Sequence, residues 1–171
     1  MKNKQNYKWI IQITSLTFVI SMMFSYLSET ILEKSNTVVE LLVLLIVILI
    51  GIIFDMIGVA VTTCAEYPFN AMASRKIKGA KTAIKLIKNK DKVSSLCNDV
   101  IGDICGIISG TAGVIIATHI ANESIICSLF ITAIISSLTI GGKALGKKVA
   151  VNKSLKITKI VSKVLSITEH K

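Results

Sequence analysis

Apolar residues come in long unbroken runs, and lysines crowd between the runs. The run at 37–54 reads TVVELLVLLIVILIGIIF, and that at 125–140 reads IICSLFITAIISSLTI. A bilayer's hydrocarbon core, about 30 Å thick, is crossed by about 20 apolar residues in a helix. Four stretches reach that length, at about residues 9–28, 38–65, 94–118 and 125–142. None alternates apolar and polar positions as a barrel strand would, and there is a single proline, Pro68. The pattern predicts an all-α polytopic membrane protein, with four transmembrane helices and basic amphipathic helices beside the membrane. The first stretch follows Lys2, Lys4 and Lys8, as the apolar centre of a secretory signal would. With no A-x-A-like cleavage site before Leu27-Ser28-Glu29, it reads as an uncleaved signal-anchor helix.

Loop charge sets the expected orientation. Lys2, Lys4 and Lys8 precede the first span, and Glu29, Glu33, Lys34 and Glu40 follow it. The most basic stretch, RKIKGAKTAIKLIKNKDK at 75–92, joins the second span to the third. Between the third and fourth spans stands Glu123 with no lysine, and from Lys143 onward the chain is basic again. The positive-inside rule then puts both termini and residues 75–92 in the cytosol of a multi-pass protein of the cell (inner) membrane. Residues 1–36 carry the first span, 37–147 a three-span domain with a cytosolic basic helix near 71–90, and 148–171 a basic tail.

Both basic segments are helically periodic. Ala73, Ile77, Ala80, Ile84 and Ile87 share one face of the first. In the tail, Ile157, Ile160, Val161, Val164 and Leu165 form a stripe opposite Lys153, Lys156, Lys159 and Lys163. Such helices lie in the headgroup plane with their lysines on anionic lipid.

Composition agrees. Of 171 residues 52% are hydrophobic, and 20 basic against 10 acidic side chains give a net charge of +10. Mean hydropathy is +0.69, which excludes a disordered chain. In a membrane chain the basic excess belongs to cytosolic loops and lipid, so no nucleic-acid partner is expected. Cys64, Cys97, Cys105 and Cys127 form no C-x-x-C pair, so zinc and disulfides are not expected. His119 and His170 stand far from any nucleophile or metal cluster, and Gly141-Gly142-Lys143 lacks the rest of a phosphate loop. No enzymatic constellation emerges.

Polar groups inside a bilayer are costly, so they mark candidate chemistry. Asp55 and Glu66, eleven residues apart, fall on one face if the second span is helical throughout. The third span opens NDVIGDICGIISGTAG, with Asn98 and Gly102 on one face and Asp99 and Asp103 as a second i, i+4 pair. Two carboxylates one turn apart repel unless a cation or proton lies between them, and magnesium takes oxygen ligands. A cation path through Asp55, Glu66, Asn98, Asp99 and Asp103 is one reading; hydrogen-bonded glue between helices is the other. Gly102, Gly106 and Gly110, continued by Gly113, form a small-residue ridge that predicts close helix packing, within the subunit or across a dimer.

The segment GVAVTTCAEYPFNAMASRKIKGAKTAIKLIKNKDKVSSLCNDVIGDICG, residues 58–106, resembles the transmembrane domain of the CorB/CorC and cyclin M family of magnesium transporters. In that family a span ends in an F-S-x-S-E-T-A-like motif, a cytosolic helix carries Gly-Ala-Lys, and the next span opens with asparagine. Thr63 falls at the motif's serine, Glu66 at its glutamate, Gly79-Ala80-Lys81 in the cytosolic helix and Asn98 at the asparagine. The resemblance implies a homodimer that binds Mg2+ among polar groups of three spans, those at 38–65, 94–118 and 125–142. It also implies a carboxylate, within a G-E-x-x-P-K-like motif, where this chain has Gly142-Lys143-Ala144-Leu145-Gly146-Lys147. A lysine there repels a divalent cation. The 171 residues also leave no room for the family's paired cystathionine-β-synthase domains.

Three functions follow as expectations. The first is transport or sensing of a divalent cation, with Thr63 and Asn98 as neutral ligands and Asp99, Asp103, Glu66 and Asp55 attracting the ion. The second is a non-transporting assembly or regulatory subunit that binds another membrane protein through the glycine ridge. The third is a small membrane-perturbing protein acting through its amphipathic tail.

Overall fold

The structure, a computed structural model, describes residues 2–32, 36–121 and 124–168. Glu33, Lys34, Glu123 and His170, used above for loop charge and chemistry, lie outside the described residues. The described chain is helical: α1 (Lys2–Leu32), α2 (Thr37–Thr63), α3 (Tyr67–Ser74), α4 (Ala80–Lys88), α5 (Lys90–Ser94), a π-helical segment (Ser95–Gly102), α6 (Asp103–Ala121), α7 (Ile125–Asn152) and α8 (Ser154–Thr168). Four stretches are long and apolar enough to cross a membrane: Tyr7–Tyr26, Thr37–Thr63, Lys90–Ala121 and Ile125–Asn152. They overlap the four expected spans, the last of them running ten residues beyond its expected end at 142. Several of their Ser and Thr hydroxyls bond their own helix. Thr17 donates to the Ile13 carbonyl at 2.7 Å, Ser109 to Gly106 at 3.0 Å and Thr139 to Ile135 at 2.9 Å. A hydroxyl that bonds its own helix carries no unpaired donor into lipid.

The chain divides into two units, Met1–Gly51 with Val100–Gly141, and Ile52–Asp99 with Gly142–Lys171. In the first, Val100 of the π-helical segment and Ile104, Ile108, Ala112 and Ile116 of α6 form an apolar stripe at every fourth position, all buried. Four residues overshoot a helical turn by about 40°, so the stripe winds around α6. Val100, Ile104 and Ile108 accordingly meet Ile13 and Ile20 of α1 and Val47 of α2. One turn further on, Ala112 and Ile116 meet Leu44 and Ile48 of α2 and Ile135 of α7.

In the second unit Cys64, Phe69, Ala83 and Ile87 form a buried cluster, with Met72 and Ile84 against it. The expected basic helix near 71–90 is two helices, because the chain turns between Ser74 and Ala80. The Lys76 amide bonds the Ala73 carbonyl at 3.0 Å and the Ile77 amide bonds Met72 at 3.1 Å. That is a Schellman ending, with Lys76 at φ +55 in the left-handed position usually held by glycine. Ile77 therefore lies in the turn and is exposed, instead of lining the buried face with Ala80 and Ile87. Gly79, at φ +85, caps α4, and a Cβ there would stand 3.0 Å from Lys163 Cα of α8. The close approach lets α8 dock on α4 through Thr158 and Ser162, both fully buried, while Ile160, Val164 and Leu165 of the predicted stripe remain exposed.

Candidate intramembrane site

In the second unit α2 and α7 approach closely because α7 presents two glycines one turn apart. A Cβ on Gly142 would lie 2.6 Å from Ile52 Cδ1, and one on Gly146 2.9 Å from Ile52 Cγ2 and 3.0 Å from Met56 Cγ. Small residues at this spacing let membrane helices touch backbone to side chain. Between these two contacts Lys143 Nζ reaches Asp55 Oδ2 at 3.5 Å. The Asp55 side chain is 4% exposed and that of Lys143 20%, so the pair is largely withdrawn from solvent. Further along α2, Gly58 receives the Asn98 carboxamide, since a Cβ there would lie 2.8 Å from Asn98 Cγ. The Asn98 Nδ2 donates to Ser94 Oγ at 3.1 Å, while Oδ1 is buried with no hydrogen-bond partner. Asn98 sits on the π-helical segment, a local widening that recurs at functional sites.

The remaining expected ligands are dispersed. Helix α2 ends at Thr63 and Glu66 caps α3, so the single helical face proposed for Asp55 and Glu66 does not exist. The reason is local: Cys64 and Ala65 leave the helix, and Pro68, a helix-starting residue, opens the next one. Glu66 is half-exposed and lies 3.8 Å from the Lys88 ammonium. Thr63 is exposed and its hydroxyl donates to the Val59 carbonyl at 2.8 Å. Asp99 and Asp103 are exposed, and Asp103 belongs to the first unit. Among the described residues no three His, Cys, Asp or Glu side chains gather as a metal site. As a donor set for Mg2+ the group fits poorly, because its one buried carboxylate already faces an ammonium.

The glycine ridge is divided. Gly113 faces inward, where a Cβ would stand 3.3 Å from Ile135 Cγ2, whereas Gly110 has open space around it. Gly102 is buried and Gly106 half-buried. In the second unit Gly142 and Gly146 make close contacts of their own, a G-x-x-x-G present in the sequence but masked by the lysines around it.

A second buried charge was also missed. Glu40, in the first turn of α2, is 0% exposed, and His119 Nδ1 of α6 lies 3.2 Å from its Oε1 and 3.3 Å from its Oε2. His119, set aside above as isolated, is thus the partner of Glu40, its own side chain half-exposed. The signal was available in the sequence: Glu40 is the one charge inside the opening of the most apolar run. No family model matches the chain, and no curated protein and no solved structure matches it.

Proposed function

We propose that this protein is a non-transporting assembly subunit of the cell membrane that associates with a second copy of itself. The observation that carries this reading is the Asp55–Lys143 pair. A carboxylate neutralised by an ammonium of its own chain stabilises a helix pair and offers little to a passing divalent cation. The surface for association is the outer face of α6, where Ile107, Gly110 and Val114 are exposed and Gly110 leaves room for an approaching backbone. Both termini lie on the cytosolic side in this proposal. There the exposed lysines Lys153, Lys156, Lys159 and Lys163, beside exposed Ile160 and Val164, rest on anionic headgroups.

A cation reading keeps one specific support, the unpartnered Oδ1 of Asn98, an acceptor at the position that resembles the asparagine of the magnesium transporters. One reconstitution separates the two. Donor- and acceptor-labelled copies in proteoliposomes should show energy transfer that Gly110→Leu abolishes, with Mg2+ uptake no greater than in empty vesicles. Selective Mg2+ uptake that is lost in Asp99→Asn or Glu66→Gln would overturn the assembly reading in favour of transport.

A further inference from the structure

The two basic helices that the sequence presents alike differ in the face they bury. In α4 the apolar side chains turn inward: Ala80, Ala83 and Ile87 are buried, no large apolar side chain of the helix is exposed, and Lys81, Lys85 and Lys88 take the outer face. Helix α8 packs on α4 with a hydroxyl-bearing face. Ser154, Thr158, Ser162 and Ser166 recur at every fourth position, all at least partly buried, and Thr158 and Ser162 are the most enclosed. At 100° per residue, Ile160, Val164 and Ile167 fall within about 60° of the direction opposite Thr158. They are 55%, 59% and 68% exposed. A helix packed in water does the reverse, burying its apolar stripe and leaving its hydroxyls outside. The α4 contact does not offset this exposure, since Thr158 Oγ1 is buried and finds no hydrogen-bond partner among the described residues, which costs stability.

Tether and charge say what covers the outer face of α8. The helix begins two residues after the end of α7, which is long and apolar enough to cross a membrane. The 28 residues of α7 rise about 42 Å, close to the 40–45 Å of a bilayer with its headgroups, so α8 starts at headgroup level. Residues Ser154–Thr168 include three lysines and no acidic side chain. Lys156, Lys159 and Lys163 are exposed beside the apolar face, and their long stems let the ammonium groups reach phosphates while that face sinks. A second copy of α8 would instead set lysine against lysine. We infer that, of the two basic helices, α8 is the one that touches lipid. It lies in the headgroup plane of an anionic leaflet, with Ile160, Val164 and Ile167 in the acyl boundary, between the bilayer and α4, whose lysines face water. This rests on the lipid contact proposed above for the α8 lysines; it adds which side chains enter the bilayer and keeps α4 out of it.

Nitroxide labels test the placement. Ile160→Cys, Val164→Cys, Ile167→Cys and Lys81→Cys, all at exposed positions, are each made in the full chain with Cys127→Ser and reconstituted in vesicles of phosphatidylcholine and phosphatidylglycerol. Electron paramagnetic resonance reads how often each label collides with oxygen, which concentrates among acyl chains, and with a nickel chelate, which stays in water. At the three α8 positions the oxygen-to-nickel ratio should exceed that at Lys81→Cys several-fold, and replacing phosphatidylglycerol by phosphatidylcholine should lower it. Frequent nickel collisions on α8 would put that face in water. Few collisions with either reagent would put a protein, a second copy included, over it. Either result overturns the inference, as does a ratio at Lys81→Cys equal to that at Ile160→Cys, or an α8 ratio indifferent to phosphatidylglycerol. Energy transfer between copies in the same vesicles reports self-association alone, so the two readings fail separately.

Discussion

Asp55 and Lys143 make the case for reading membrane charge residue by residue. Each alone is an expensive group in an apolar span, and together they cost far less, because each ammonium–carboxylate contact replaces part of the lost hydration. The pair's 3.5 Å separation and low exposure predict a marked asymmetry between breaking it and removing it. Asp55→Asn leaves Lys143 without its carboxylate and should lower stability by about 3–5 kcal/mol, while Asp55→Leu combined with Lys143→Met should recover most of that loss. Denaturant unfolding of the full chain in micelles measures both. Equal stability of Asp55→Asn and wild type would mean that the lysine finds adequate solvation without its partner. Glu66 and Lys88, more exposed and 3.8 Å apart, belong to the class of surface pairs that contribute little.

At the scale of elements, the α2–α7 contact depends on what α7 lacks. Gly142 and Gly146 stand against Ile52 and Met56, and the tolerance for added atoms differs between them. At Gly142 the nearest atom is the terminal Cδ1 of Ile52, which a rotamer change can move, so Gly142→Ala should be mild. At Gly146 two side chains, Ile52 and Met56, converge from α2. Gly146→Leu should therefore destabilise by about 1–3 kcal/mol through overpacking and should also loosen the Asp55–Lys143 pair. Thermal unfolding of the two variants side by side checks the order; a more stable Gly146→Leu would show that the helices are not in contact there. The same reasoning explains why the α6 ridge was readable only as a tendency. Glycines at small-residue spacing announce a close approach, but whether Ile135 or open space faces them depends on which helix arrives.

For the whole molecule the testable quantity is orientation. Asn36 precedes α2, and Lys81 lies in the basic segment between the second and third spans; both are exposed. In a Cys127→Ser background, a membrane-impermeant maleimide applied to intact cells should label Asn36→Cys, and should label Lys81→Cys only after the cells are opened. The reverse pattern would invert the topology. How much of this could be read directly from the chain follows from the range of each force. Hydropathy is local and additive, so residues 37–54 and 125–140 announce membrane helices by themselves, and the four spans found are the four expected. Lysine counts in loops are local too, and they suffice to propose an orientation. Pairing is not local. The partner of Asp55 is eighty-eight residues away at Lys143, that of Glu40 is His119, and the backbone that stands against Gly79 is that of Lys163 in α8. The sequence by itself determined that this chain forms four apolar helices with basic connections, because those properties sum along the chain. Only the tertiary structure decided which partner each buried charge meets, and which helix stands against each glycine, because such partners are chosen by distance in space.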